Sequence, residues 1–150
     1  MTALSVDVVV IRRPAADGIL EDPEIDRLVK QALAAENASG AWDVSIVLVD
    51  DDELRALHRD FMDIDEPTDV MTFPAEPDEE REAGGDIVIS VERAAEQGPE
   101  HSHTTEEEVR FLILHGVLHL SGWDDRTPEE RTAMLERQRV ILASFPDSRG

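Results

Sequence analysis

The sequence has no cysteine, only one lysine (Lys30), and no stretch near the ~18 uncharged apolar residues that a membrane span needs. Without cysteine there is no disulfide framework, thiol catalysis or thiolate metal site, so any bound metal takes its ligands from histidine, aspartate or glutamate. Basic residues are scarce: 14 Lys and Arg stand against 35 Asp and Glu, for a formal net charge of −21. That excludes a generally basic nucleic-acid coat and argues against an electrostatic membrane binder, because anionic lipid would repel the chain. The opening MTALSVDVVVIRRP carries no basic residue ahead of its apolar run, unlike a secretory leader, and a cytoplasmic chain is expected. At 150 residues the expectation is one domain over residues 1–150, large enough to fold around its own core.

What is present is a regular alternation of short elements. Residues 4–11 alternate and are valine-rich, which predicts a strand. Asp22-Pro23-Glu24 predicts a helix start, followed by Ile25, Leu28, Val29 and Leu33 at helical spacing and a stop at Ala38-Ser39-Gly40. Residues 42–49 predict a second strand. Asp51 is expected to cap a helix to about Phe61, with Leu54, Leu57 and Phe61 as its stripe. Short third and fourth strands are expected over 69–73 and 86–90, separated by an acidic loop. A short helix follows from Ser90 or Val91 to Gly98-Pro99. Thr105 and Glu108 have capping-box spacing ahead of a long run, FLILHGVLHL, that is apolar nearly all round and therefore predicts a buried helix. Thr127-Pro128 opens a last helix to about Ala143. The fold class expected is α+β: a four-stranded mixed sheet packed with helices around one buried, metal-bearing helix.

The chemistry concentrates in HGVLHLSGWDD, residues 115–125. His115 and His119 are four apart, so on a helix both face one centre, and two imidazoles at that spacing suit a tetrahedral metal such as zinc. Gly122 lets the chain turn back and bring Asp124 or Asp125 to the same centre, leaving a fourth position open, as in catalytic sites. The competing reading is a pair of hydrogen-bonded core histidines. Gly116 stands where HExxH proteases carry their glutamate base, which counts against proteolysis. His101 and His103 read as a solvated loop, while His58 is left open between cleft and solvent. Asp69 reads either as a turn residue or as an orienter of an imidazole, and Trp123 either as a base-stacking ring or as a lid packed on the core.

HGVLHLSGWDD closely resembles the HGxLHLxGxDH signature of the YbeY family of bacterial rRNA-maturation factors. Leu54–Phe61 resembles the helix ahead of that family's second signature, Pro67–Pro74 (PTDVMTFP) resembles its PTDVLSFP element, and Gly85–Ser90 (GDIVIS) resembles its GDIxIS strand. The resemblance spans roughly residues 4–143. It implies a single-strand-specific, metal-dependent endoribonuclease of 16S rRNA 3′-end maturation and ribosome quality control, hydrolysing phosphodiesters with a metal-activated water. Carried over by position, it implies one zinc ion held by His115, His119 and Asp125. Asp125 falls where the family usually has histidine, which leaves room for another, harder divalent metal. Met62 falls where the family commonly has arginine, and Arg59, one turn earlier, is the candidate catalytic cation in its place. The implied partners are rRNA and ribosomal proteins or a ribosome-associated GTPase, with no membrane and no DNA. Two rival functions stand beside this: a ribosome-associated assembly factor with a structural metal, or a metal-dependent hydrolase of another substrate. Against a charge of −21, RNA is expected to meet a local strip of Arg12, Arg13, Arg55 and Arg59 or to be presented by a partner.

Overall fold

A computed structural model describes residues 3–145; the first two and last five residues of the expected domain lie outside it. Four strands, β1 (Ser5–Arg12), β2 (Ala41–Val49), β3 (Val70–Pro74) and β4 (Ala83–Ser90), form one sheet in the order β1-β2-β4-β3. The pairs β1–β2 and β2–β4 are parallel, and β3 runs antiparallel to β4 on the edge. Five α-helices complete the α+β fold: α1 (Asp22–Ala35), α2 (Asp51–Met62), α3 (Val91–Gln97), α4 (Thr105–Leu120) and α5 (Pro128–Ser144). The mixed sheet and the buried central helix are as the sequence predicts.

The alternation along β2 divides the core. Val44, Ile46 and Leu48 face one side, where Ile25, Leu28 and Leu33 of α1 and Ile113, Leu114 and Val117 of α4 bury against them. Val47 and Val49 face the other side and meet Leu54 and Leu57 of α2, with Met71 and Val88. Helix α2 thus covers part of the second face, leaving Val9 and Ile11 of β1 exposed there, and the C-terminal end of α2 and the strand β3 frame one rim of a cleft beside α4.

Local chemistry fixes most boundaries. Asp50, not Asp51, caps α2 by accepting from the Glu53 N–H at 2.8 Å, and Ser90 caps α3. Glu21 precedes α1 without a side-chain cap, so Asp22 sits in the first turn. The capping box of α4 is Thr104 with Glu107, one residue earlier than the spacing of Thr105 and Glu108 suggests. That slip turns Glu108 inward, where it is completely buried. Thr127 and Glu130 form the capping box of α5.

Candidate metal centre

Two glycines set the geometry around the histidines. A Cβ on Gly116 would lie 2.6 Å from the Ile87 side chain, so only glycine lets α4 press this closely onto β4. Gly122 has φ +106 with nothing near its missing Cβ, so its role is conformational: it reverses the chain just past α4. The Trp123 N–H then bonds to the Leu118 carbonyl at 3.0 Å, and Asp125 returns to the helix. Its Oδ2 lies 3.5 Å from His115 Nε2 and 3.4 Å from His119 Nε2, and the two Nε2 atoms are 3.1 Å apart.

Proton accounting decides what this triangle can hold. His115 Nδ1 faces Gln138 Oε1 at 3.0 Å; the Gln138 amide nitrogen is committed to the Phe111 carbonyl. His119 Nδ1 faces the Trp123 carbonyl at 3.1 Å. Both partners are acceptors, so both Nδ1 atoms carry the proton and, in neutral rings, both Nε2 atoms present lone pairs. Two lone pairs and a carboxylate oxygen then converge with no hydrogen between them, an arrangement that a cation relieves. Metal–ligand bonds of ~2.0–2.2 Å at tetrahedral angles separate ligand atoms by roughly 3.3–3.6 Å. The two edges to Asp125, 3.4 and 3.5 Å, fall in that range, and the 3.1 Å edge between the imidazoles is slightly shorter. Asp124 lies beside the triangle, its carboxylate turned to its own neighbours: Oδ1 accepts from the Asp125 N–H and Oδ2 pairs with Arg126.

The triangle opens into a cleft of about 740 Å³. Its walls include His58, Phe61 and Met62 from α2, residues Thr68–Pro74, and Trp123–Arg126. His58 therefore faces the cleft, with its Nδ1 donating to the Glu66 carbonyl at 2.9 Å. Arg59 is not among the lining residues; its guanidinium pairs with Asp60 at 3.1 Å on the exposed side of α2. Arg12, Arg13 and Arg55 are likewise held by Asp22, Glu53 and Asp65, so the four arginines do not form an unpaired basic strip. Asp69 accepts from Gln97 Nε2 at 2.9 Å, while Gln138 and the Trp123 carbonyl orient the imidazoles instead. Ser90 is buried and serves α3 and Asp51. Trp123 lines the cleft, packs on the core and donates its Nε1–H to Glu36.

The sequence reading missed a second cluster. His101 stays exposed, as a loop residue would, but neither ring is free: their Nδ1 atoms lie 2.9 and 2.8 Å from Glu108 Oε1, and Gln97 Nε2 donates to Oε2 at 2.9 Å. Burial alone would raise the Glu108 pKa, but the hydrogen bonds from His101, His103 and Gln97 outweigh it and hold the carboxyl below its usual range. The legible signal was position: Glu108 shares a helix face with Phe111, Leu112 and His115. Both clusters, His101–His103–Glu108 and His115–His119–Asp125, bring three possible ligand atoms within 4.8 Å of one another.

The profile of the family described as "Endoribonuclease YbeY" matches residues 17–146. The chain belongs to the YbeY endoribonuclease family. Relatives named endoribonuclease YbeY include those of Geobacillus kaustophilus (strain HTA426), 40% identical across 81% of this chain and 84% of theirs, and Carboxydothermus hydrogenoformans, 43% identical across 81% and 83%. The solution structure of TM1509 from Thermotoga maritima superposes with a TM-score of 0.63 at 25% identity, covering 91% of this chain and 87% of that one. A YbeY fold with this α4 thus carries the histidine–carboxylate triangle at one end of its cleft.

Proposed function

We propose that this chain is a metal-dependent endoribonuclease that hydrolyses single-stranded RNA and acts in 16S rRNA 3′-end maturation and ribosome quality control in the cytoplasm. The observation that carries the reading is the convergence of His115 Nε2, His119 Nε2 and Asp125 Oδ2 inside an open cleft of a YbeY-family chain. His115, His119 and Asp125 would hold one divalent cation, with zinc favoured by the two imidazoles and a harder metal admitted by the carboxylate. When bound, that cation supplies Lewis acidity at a phosphoryl oxygen and a lowered pKa for a coordinated water.

The chain's own residues do the rest. Gln138 and the Trp123 carbonyl fix the tautomer and tilt of the two imidazoles. His58, with its Nδ1 proton committed to Glu66, offers Nε2 to the cleft as an acceptor for an RNA hydroxyl. Among the described residues, a polyanion entering the cleft meets Asp69, Asp124 and Asp125 against the guanidinium of Arg126. Phosphate binding therefore depends on the positive charge added at the triangle. Arg59, paired with Asp60, enters only as a phosphate contact farther along the strand. The ion-paired arginines support delivery of rRNA by a partner, a ribosomal protein or a ribosome-associated GTPase. Among the described residues no helix is long and apolar enough to cross a membrane.

The test is cleavage of single-stranded 16S rRNA 3′-precursor fragments by the metal-reconstituted chain, beside His115→Ala and a panel of small phosphate and carboxylate esters. Endonucleolytic products lost in His115→Ala are expected. Ester turnover without RNA cleavage would instead select the other-hydrolase reading. Neither activity, with a melting temperature that collapses on chelation, would select the structural-metal assembly factor.

A further inference from the structure

Six aromatic side chains other than histidine occur in the chain, four Phe and two Trp, and all six fall within the described residues. Trp42 and Phe111 are buried, and Phe73, Trp123 and Phe145 are partly so. Phe61 alone is exposed, at 67%, and it stands on the wall of the cleft that holds the histidine triangle. Its neighbour Met62, 57% exposed, lines the same wall. Phe61 meets Phe73 of β3 edge to face, ring centroids 5.3 Å apart at 70°. The edge-on contact fixes the ring while leaving most of its surface to solvent.

Charge makes such a ring useful here. Among the described residues, the three carboxylates and single guanidinium lining the cleft give little of the counterion-release affinity by which nucleic-acid proteins usually hold their ligand. Base–aromatic stacking needs no cation and tolerates any base, because each has a π-face. A duplex hides those faces in its own stack; a single strand offers them.

We propose that Phe61, steadied by Phe73, is a nucleobase-stacking platform at the cleft mouth that holds one unpaired base of the RNA strand. The platform rests on the endoribonuclease reading and adds to it a subsite for a nucleobase.

The experiment measures binding of short, dye-labelled single-stranded oligoribonucleotides to the full chain by fluorescence anisotropy, with strand integrity checked on a gel. Phe61→Ala is expected to raise the Kd roughly 5- to 150-fold, the range for one stacked base, with an unchanged salt slope, while Phe61→Trp keeps the affinity. An abasic substitution walked along the strand should cause the same loss at one position in the wild type and none further in Phe61→Ala. Circular dichroism melting of each variant separates lost stacking from lost fold. Wild-type-like binding by Phe61→Ala overturns the platform, as does a loss that is equal for intact and abasic strands. A dimer dissolved by Phe61→Ala also overturns it, since a second copy then covers the ring. The two readings fail separately. RNA cleavage with no dependence on Phe61 removes the platform and leaves the nuclease; Phe61-dependent binding without cleavage under any metal does the reverse.

Discussion

A histidine–histidine–carboxylate group stands at each end of helix α4, and the two differ in where their protons point. At the N-terminal end, His101 and His103 aim Nδ1–H donors at Glu108, and the Gln97 amide fills the remaining oxygen. Donors and acceptor balance, and the carboxylate is sealed from water. At the C-terminal end the Nδ1 protons are spent outward on Gln138 and the Trp123 carbonyl, which leaves lone pairs facing each other and a half-exposed Asp125. Two histidines and a carboxylate therefore close into a hydrogen-bonded brace in one case and leave a set of lone pairs able to take a cation in the other. The orienting partners, not the histidines, determine which.

The largest effect that can break this comparison is loss of metal. Elemental mass spectrometry of the wild type should find about one divalent ion per chain, absent from His115→Ala and Asp125→Ala but retained in His103→Ala. Metal lost equally from His103→Ala would make the two ends alike and sink the contrast. Next comes Gln138→Ala, which frees the His115 ring while keeping every ligand. By the usual effect of removing an orienting partner, metal affinity should fall roughly 10- to 100-fold in a competition titration. An unchanged affinity would mean that the Gln138 contact sets nothing.

At the braced end the readout is stability. Glu108→Gln places an amide among three N–H donors and should cost about 1–3 kcal/mol in urea unfolding, with metal content unaltered. The pH dependence has a definite sign. The folded Glu108 carboxyl is held below its ordinary value of 4.5, so its contribution is present above that value and is lost as pH falls through the folded pKa. Glu108→Gln should flatten that acid limb; an identical limb in the variant would place the linkage elsewhere.

How much of this was legible followed from how local its cause is. The strands showed through alternation, α4 through its unbroken apolar run, and the His115–His119 pair through helical spacing, all properties of adjacent residues. Gln138 did not show, because it acts from α5, 23 positions from His115 along the chain. The His101–His103 brace stayed hidden because its acceptor was assigned to the wrong job. Read as a capping partner of Thr105, Glu108 would face outward, and two loop histidines would have nothing to bind. The cover that α2 gives the second face of the sheet was also invisible, since Val47 and Val49 look like ordinary strand residues until α2 is laid across them.

The smallest predicted effect tests that single-residue slip. Thr104 Oγ1 accepts from the Glu107 N–H at 3.1 Å, and the Glu107 carboxylate accepts from the Thr104 N–H at 2.9 Å. Thr104→Ala should therefore cost about 1 kcal/mol of stability, whereas Thr105→Ala, past the cap, should stay within about 0.5 kcal/mol. The reverse order would move the cap to Thr105 and rotate Glu108 toward solvent. The brace at the N-terminal end of α4 would then come apart, and with it the argument that two similar clusters were built for different ends.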